Sequence, residues 1–269
     1  TALGSSTPSH KTKAKILQTL AMAEFVTGDS VETIETLDYI GDFFSDPNGN
    51  PTLIEGAITA WSFLVTSVDP EAVIFELIPK FLRNLGEYLF LEHHELRLAS
   101  GECLSILIDL CRSTEDFNVA LWDGYCDLPS IIDTLDVLSN ECTHSFSKKE
   151  LKTQRKTFRE YSAVISGTAT SVETLKCGRQ TIDFEGSDKT KQLDGIRAFL
   201  GSGLIRHFTD NSFLHDVFGD SFESDEPTVS RRERTFEKSV RRANDKQNTL
   251  NKSSKMKQRM LRNSVDDDF

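Results

Sequence analysis

Apolar residues that return every three or four positions constrain this chain more than any other feature. From Ile16 to Glu141 they run Ile16, Leu17, Leu20, Met22, Phe25, then Val31, Ile34, Leu37, Ile40, Phe43, Phe44, the period of amphipathic helices. Breaks fall at Thr27-Gly28-Asp29-Ser30, Asp46-Pro47-Asn48-Gly49-Asn50-Pro51, Asp69-Pro70 and Ser113-Thr114. Each joins a helix stop to an N-cap residue for the next helix. Thr52 to Val68, Glu71 to Leu91, Glu95 to Cys111 and Glu115 to Leu138 therefore read as consecutive antiparallel helices. Such helices bury their apolar stripes by stacking, so the pattern predicts an all-α fold, an armadillo- or HEAT-like helical solenoid without a strict sequence period.

The composition can supply a core, since 38% of the 269 residues are apolar and 18 are Phe. The longest apolar stretch, Ala57 to Val68, is interrupted and too short for a bilayer, which argues against a membrane partner. The first residues lack the charged-then-apolar pattern of a secretory signal, and position 1 is Thr, which reads as a processed or shortened chain. Cys103, Cys111, Cys126, Cys142 and Cys177 are odd in number and contain no C-x-x-C. That pattern predicts free thiols in a reducing, intracellular compartment, and the localisation expected is cytoplasmic, with the nucleus as a second site. Cys103 and Cys111, eight apart on a helical pattern, are expected in the core.

Beyond Glu141 the text changes. Lys148, Lys149, Lys152, Arg155, Lys156 and Arg159 form a basic stretch expected to open a helix. Val172 to Phe184 is rich in Thr, Val and Ile and marked off by Gly178 and Gly186, which suggests a short strand or extended crossing. Helical spacing resumes over Leu193 to Ile205 and Phe213 to Phe218, before an acidic linker from Asp220 to Pro227. The resulting division is a helical-repeat body over 1–147, a C-terminal subdomain over 148–219, a linker over 220–229 and a basic tail over 230–269.

Charge sets that tail apart. Twelve of the 31 Lys and Arg residues lie between Arg231 and Arg262 against only Glu233, Glu237 and Asp245, a local net of +9, whereas residues 1–230 carry −17. A concentrated basic segment on an acidic protein is the footprint of a piece that follows a phosphate backbone. The candidate RNA-binding residues are Arg231, Arg232, Arg234, Lys238, Arg241 and Arg242, followed by Lys246, Lys252, Lys255, Lys257, Arg259 and Arg262. No Pro or Gly interrupts Ser230 to Arg262, so a long helix of roughly 48 Å is expected, with too few apolar side chains to hold itself against the body. Arg241-Arg242, a spacer and Lys255-Met256-Lys257-Gln258-Arg259 would also suit a two-part nuclear import signal.

Enzyme chemistry finds no support. There is no G-x-S-x-G elbow, and the Asp46 segment has Pro51 and Ala57 where a calcium loop needs Gly and Glu, so it reads as a turn. Cys142 and His144 lack a second pair at zinc spacing, and Gly201-Ser202-Gly203 lacks the Lys of a phosphate loop, which leaves it as a helix stop. The expectation is no catalytic residues, no metal and no cofactor.

Several blocks resemble the interferon-related developmental regulator family. Leu96-Arg97-Leu98-Ala99-Ser100-Gly101-Glu102 is similar to its M-R-x-A-A-G-E helix, and Ala60-Trp61-Ser62-Phe63-Leu64 to its A-W-x-L-L helix. Lys156-Thr157-Phe158-Arg159 resembles its basic stretch, and Glu173 to Gly178 its E-x-[IL]-K-F-G, with Cys177 in place of Phe. Leu200-Gly201-Ser202-Gly203 with Asn211-Ser212-Phe213-Leu214 and Val217-Phe218 resembles L-G-S-G…N-x-F-L…V-F, and Ser230-Arg231-Arg232-Glu233-Arg234 resembles the S-R-x-E-R opening of its tail. The resemblance implies an armadillo-like, non-catalytic body and one of two roles. One is a ribosome-binding, translation-silencing factor of hibernation type, with rRNA held through the basic tail in the mRNA and tRNA path and ribosomal proteins met by the acidic body. The alternative is a nuclear transcriptional co-regulator that acts as an adaptor for transcriptional regulators.

Overall fold

The computed structural model describes residues 8–112, 114, 127–141, 148–177 and 180–219. Helix α1 (His10–Thr27) starts where Ser9 Oγ accepts from the Thr12 amide at 3.1 Å. Helix α2 (Ser30–Gly41) starts where Asp29 Oδ1 accepts from the Val31 and Glu32 amides, both at 3.0 Å. These bonds satisfy amides that have no partner within the helix. The Asp46 segment is a turn, as read from the sequence. The Asn48 amide donates to Asp46 Oδ1 at 2.9 Å and the Gly49 amide to the Asp46 carbonyl at 3.1 Å.

Asn50 then caps α3 (Pro51–Leu64), whose proline occupies the first turn, where a missing N–H costs nothing. The next predicted helix is less regular than the sequence suggested. An α turn at Pro70–Ala72 leads into a π-helical stretch, Val73–Leu77, before α4 (Ile78–Tyr88). Pro79 explains the interruption: it donates no hydrogen bond and its ring crowds the carbonyl four residues back, so the ladder widens there. Helix α5 (His94–Arg112) follows, and then α6 (Leu128–Asn140). The expected helix from Glu115 to Leu138 is corrected at Asp127, whose extended backbone (φ −82°, ψ 90°) and side-chain bond to the Ser130 amide make it a helix start. Residues 115–126 lie outside the described set.

Helix α7 (Lys148–Ile165) forms from the basic stretch as expected. Beyond it, β1 (Val172–Cys177) and β2 (Gln180–Glu185) pair antiparallel, with Val172 opposite Glu185 and Cys177 opposite Gln180. The all-α expectation is thereby amended to a mostly helical fold with one two-stranded sheet. Ile182 and Phe184 are buried while Thr181, Asp183 and Glu185 are exposed, the alternation of a sheet with one packed face. Helix α8 (Ser187–Leu200) ends at Gly201, whose φ of +54° a side chain would disfavour. A 3₁₀ turn, α9 (Leu204–Asp210) and α10 (Ser212–Phe218) complete the described chain. The single helical pattern read from Leu193 to Ile205 is therefore two helices, divided at the stop that Gly201-Ser202-Gly203 forms.

Packing arranges these elements in a row, with α1 on α3, α3 on α5 and α5 on α7, while α6 covers α7 and α8 lies against α3 and α5. The main core is aromatic. Phe44, Trp61 and Phe81 meet with ring centroids 5.4 to 5.8 Å apart, surrounded by fully buried Leu37, Ile40, Ile58 and Leu64. Each such side chain contributes about 2 to 3 kcal/mol relative to exposure. Tyr88 joins by donating its hydroxyl to the Phe44 carbonyl at 2.7 Å, and burial pushes its phenol up to about 12. A second cluster of Phe184, Phe208 and Phe218 ties β2 to α9 and α10. Cys103 and Cys111 are buried, as expected, and burial pushes the Cys111 thiol up to about 12. Cys126 and Cys142 lie outside the described residues. No helix among the described residues is long and apolar enough to cross a membrane.

Candidate functional site

The cations predicted to meet RNA, Arg231 through Arg262, lie outside the described residues. The other basic stretch, for which the sequence suggested a helix and no role, is described, and it walls a groove of about 1490 Å³. Helix α7 has two working faces. Inward, Gln154, Phe158, Val164 and Ile165 are buried against its neighbours. Gly101 on α5 permits the approach: a Cβ there would lie 2.9 Å from Tyr161 Cδ2 and 3.3 Å from Phe158 Cε1. The glycine of the Leu-Arg-Leu-Ala-Ser-Gly-Glu block is thus the contact point of two helices.

Two of the α7 cations hold the fold. Arg155 Nε donates to the Glu141 carbonyl at 2.9 Å, and Arg159 Nη2 to the Ser139 carbonyl at 3.4 Å. They serve the carbonyls that the end of α6 leaves without helical partners. The Glu141 carboxylate accepts from Gln154 Nε2 at 2.9 Å and pairs with Arg97 Nη1 at 3.1 Å. Lys149, Lys152 and Lys156 are different, for all three are exposed. Lys156 pairs with Glu160 at 3.3 Å, an exposed pair of small energetic weight.

Opposite α7, the groove is bounded by β1 and α8 and floored by α5. Its acidic residues are engaged internally. Lys191, buried on α8, is paired with Glu102 of α5, and Arg197 bridges Glu173 of β1 and Asp194, the latter at 2.6 Å. Burial raises the Asp194 carboxyl above its ordinary value, and the Glu173 carboxylate raises it further. Burial likewise raises the Tyr161 phenol.

One turn of α5 sets both walls. Arg112 donates to the Val164 carbonyl at 3.0 Å and the Ile165 carbonyl at 2.7 Å, closing the end of α7. Asp109, three residues earlier, accepts from the Ser187 amide at 3.0 Å and so caps α8, whose own N-cap, Gly186, has no side chain. The sequence carried a signal for the basic wall, since positions 149, 152 and 156 share one helical face. It carried none for the bounding wall, which comes from long-range contacts.

The described residues thus form a mostly helical body with a two-stranded sheet and a basic-walled groove. In comparison with known proteins, the model of the interferon-related developmental regulator (IFRD) family matches residues 1–165, so this chain belongs to that family. It is similar to Interferon-related developmental regulator 2 of Mus musculus, 27% identical over 62% of this chain and 36% of the relative. It is also similar to Interferon-related developmental regulator 1 of Sus scrofa and of Homo sapiens, each 26% identical over 72% of this chain and 42% of the relative. The chain thus spans about two fifths of the length of the curated relatives it matches.

Proposed function

We propose that the chain is a non-catalytic, ribosome-associated factor that silences translation by occlusion. In this reading the helical row is part of an armadillo-like solenoid, and the acidic body docks on basic ribosomal proteins. The segment from Arg231 to Arg262 lies as a helix along rRNA in the mRNA and tRNA path. The observation that carries the reading is the division of charge, +9 on one short segment beside −17 on residues 1–230. A body of that sign meets basic proteins favourably, and the cationic segment supplies phosphate contacts. A cytoplasmic site of action follows from the reading, with nuclear passage open to the same basic segment.

Sedimentation of cell extract through a density gradient tests it. The full chain is expected to travel with ribosomes, and a full-length variant with Arg231, Arg232, Arg234, Arg241 and Arg242 changed to Glu is expected to remain near the top. Undiminished co-sedimentation of the variant would remove the segment from the mechanism. Recovery of both forms with chromatin proteins instead would establish the transcriptional adaptor reading.

A further inference from the structure

The groove beside α7 differs in sign from the protein that surrounds it. Lys149, Lys152 and Lys156 line one wall at positions i, i+3 and i+7, all exposed, whereas the guanidiniums of Arg155 and Arg159 turn to α6. Across the groove Lys191 and Arg197 pair with three carboxylates, Glu102, Glu173 and Asp194, and on α7 Glu160 pairs with Lys156, so the lining, with six cations to four carboxylates, stays net positive. The natural counterpart of an electropositive strip is a polyanion. The groove runs along roughly 22 Å of helix from Lys149 to Val164, and a single extended strand can lie along it.

We propose that this groove takes a single-stranded phosphodiester backbone, with Lys149, Lys152 and Lys156 on successive phosphates. The hydroxyls of Thr153, Thr157, Thr170 and Ser171, which also line it, offer further partners to phosphate and sugar oxygens. An extended acidic peptide is the competing occupant. Peptide strands draw specificity from pockets for alternate side chains, and the lining here is instead a row of cations and hydroxyls. Tyr161 of α7 also lines the groove but is half-buried against Phe158, so the strand is gripped chiefly by its backbone and read without sequence preference. The proposal rests on the nucleic-acid reading above and adds a second contact, on the body itself.

Fluorescence anisotropy of labelled oligouridylate on the full chain, across a salt series, tests this. Changing Lys149, Lys152 and Lys156 together to Ala is expected to make the slope of log affinity against log salt shallower by about 2, the share of three single-strand phosphates. Exposed Lys→Ala changes favour the helix, and a Lys→Gln triple variant, with unchanged circular dichroism, is expected to behave alike. An unchanged slope in both variants overturns the proposal, even where the parent chain travels with ribosomes, and a parent that binds no oligouridylate overturns it too. Oligoglutamate binding that depends on these lysines, beside RNA binding that does not, overturns it in favour of a peptide. A parent that fails to travel with ribosomes yet shows the lysine-dependent slope supports this groove while ending the ribosome reading.

Discussion

Single residues decide how the groove's floor behaves. Lys191 is buried with only 7% of its surface exposed, while its partner Glu102 keeps a hydrated edge. Glu102→Gln therefore strands a buried ammonium and is expected to cost about 2 to 3 kcal/mol in urea denaturation. Lys191→Met leaves a carboxylate that water can reach, and should cost less; the reverse order would refute the account. Asp194 carries a pH signature. Its folded carboxyl holds a proton to higher pH than the unfolded one, so its contribution to stability is greatest below the unfolded pKa and falls as pH rises through the raised folded value. Asp194→Asn is expected to flatten that fall, seen as a smaller change in urea midpoint between acid and neutral buffer. Gly56 is a steric case. A Cβ there would lie 2.3 Å from Ala14 Cβ and 3.1 Å from its Cα, and backbone cannot rotate aside. Overpacking of about 1 to 3 kcal/mol then outweighs the gain of about 1 kcal/mol in helix propensity, so Gly56→Ala should lower stability although it improves the helix in isolation.

At the scale of elements, helix ends matter most. Asp109→Ala removes the cap of α8, an expected loss of about 1 kcal/mol. Native-state hydrogen exchange should show it as faster exchange in the first turn of α8 with α1 unchanged. The elements also show what the sequence made legible. Asp29, Asn50 and the Asp46 turn were readable because each acts within a few residues, and the basic helix α7 was readable from its own composition. Less accessible were the start of α6, where Asp127 is the cap and Pro129 sits in the first turn, and the π stretch before Pro79. In both, one proline acts over a window that apolar periodicity averages away. The β-hairpin showed as an extended stretch, but its pairing depends on the packing of Phe184 against Phe208 and Phe218, which no local pattern announces. The groove was least visible, because α7 and α8 are each tied to its floor on α5 through residues some fifty to ninety positions apart, as in the Arg112 and Lys191 contacts.

For the molecule as a whole, thiols offer a measure of global opening. Cys103 and Cys111 are enclosed by α5 and its neighbours, and burial holds both in the unreactive protonated form. Cys177 is only half covered. Mass-spectrometric mapping of alkylation should find Cys177 modified before Cys103 and Cys111. Modification of Cys103 and Cys111 should accelerate with urea in proportion to the unfolded population, and early modification of Cys103 would mean the core opens locally. The paired use of Asp109 and Arg112 has a further consequence. One fixes where α8 begins and the other where α7 stops, and they sit on a single helical turn. The gauge of the channel is therefore written into a piece of backbone that never touches whatever passes through it, so a change to that turn would retune what can enter while leaving every lysine in place.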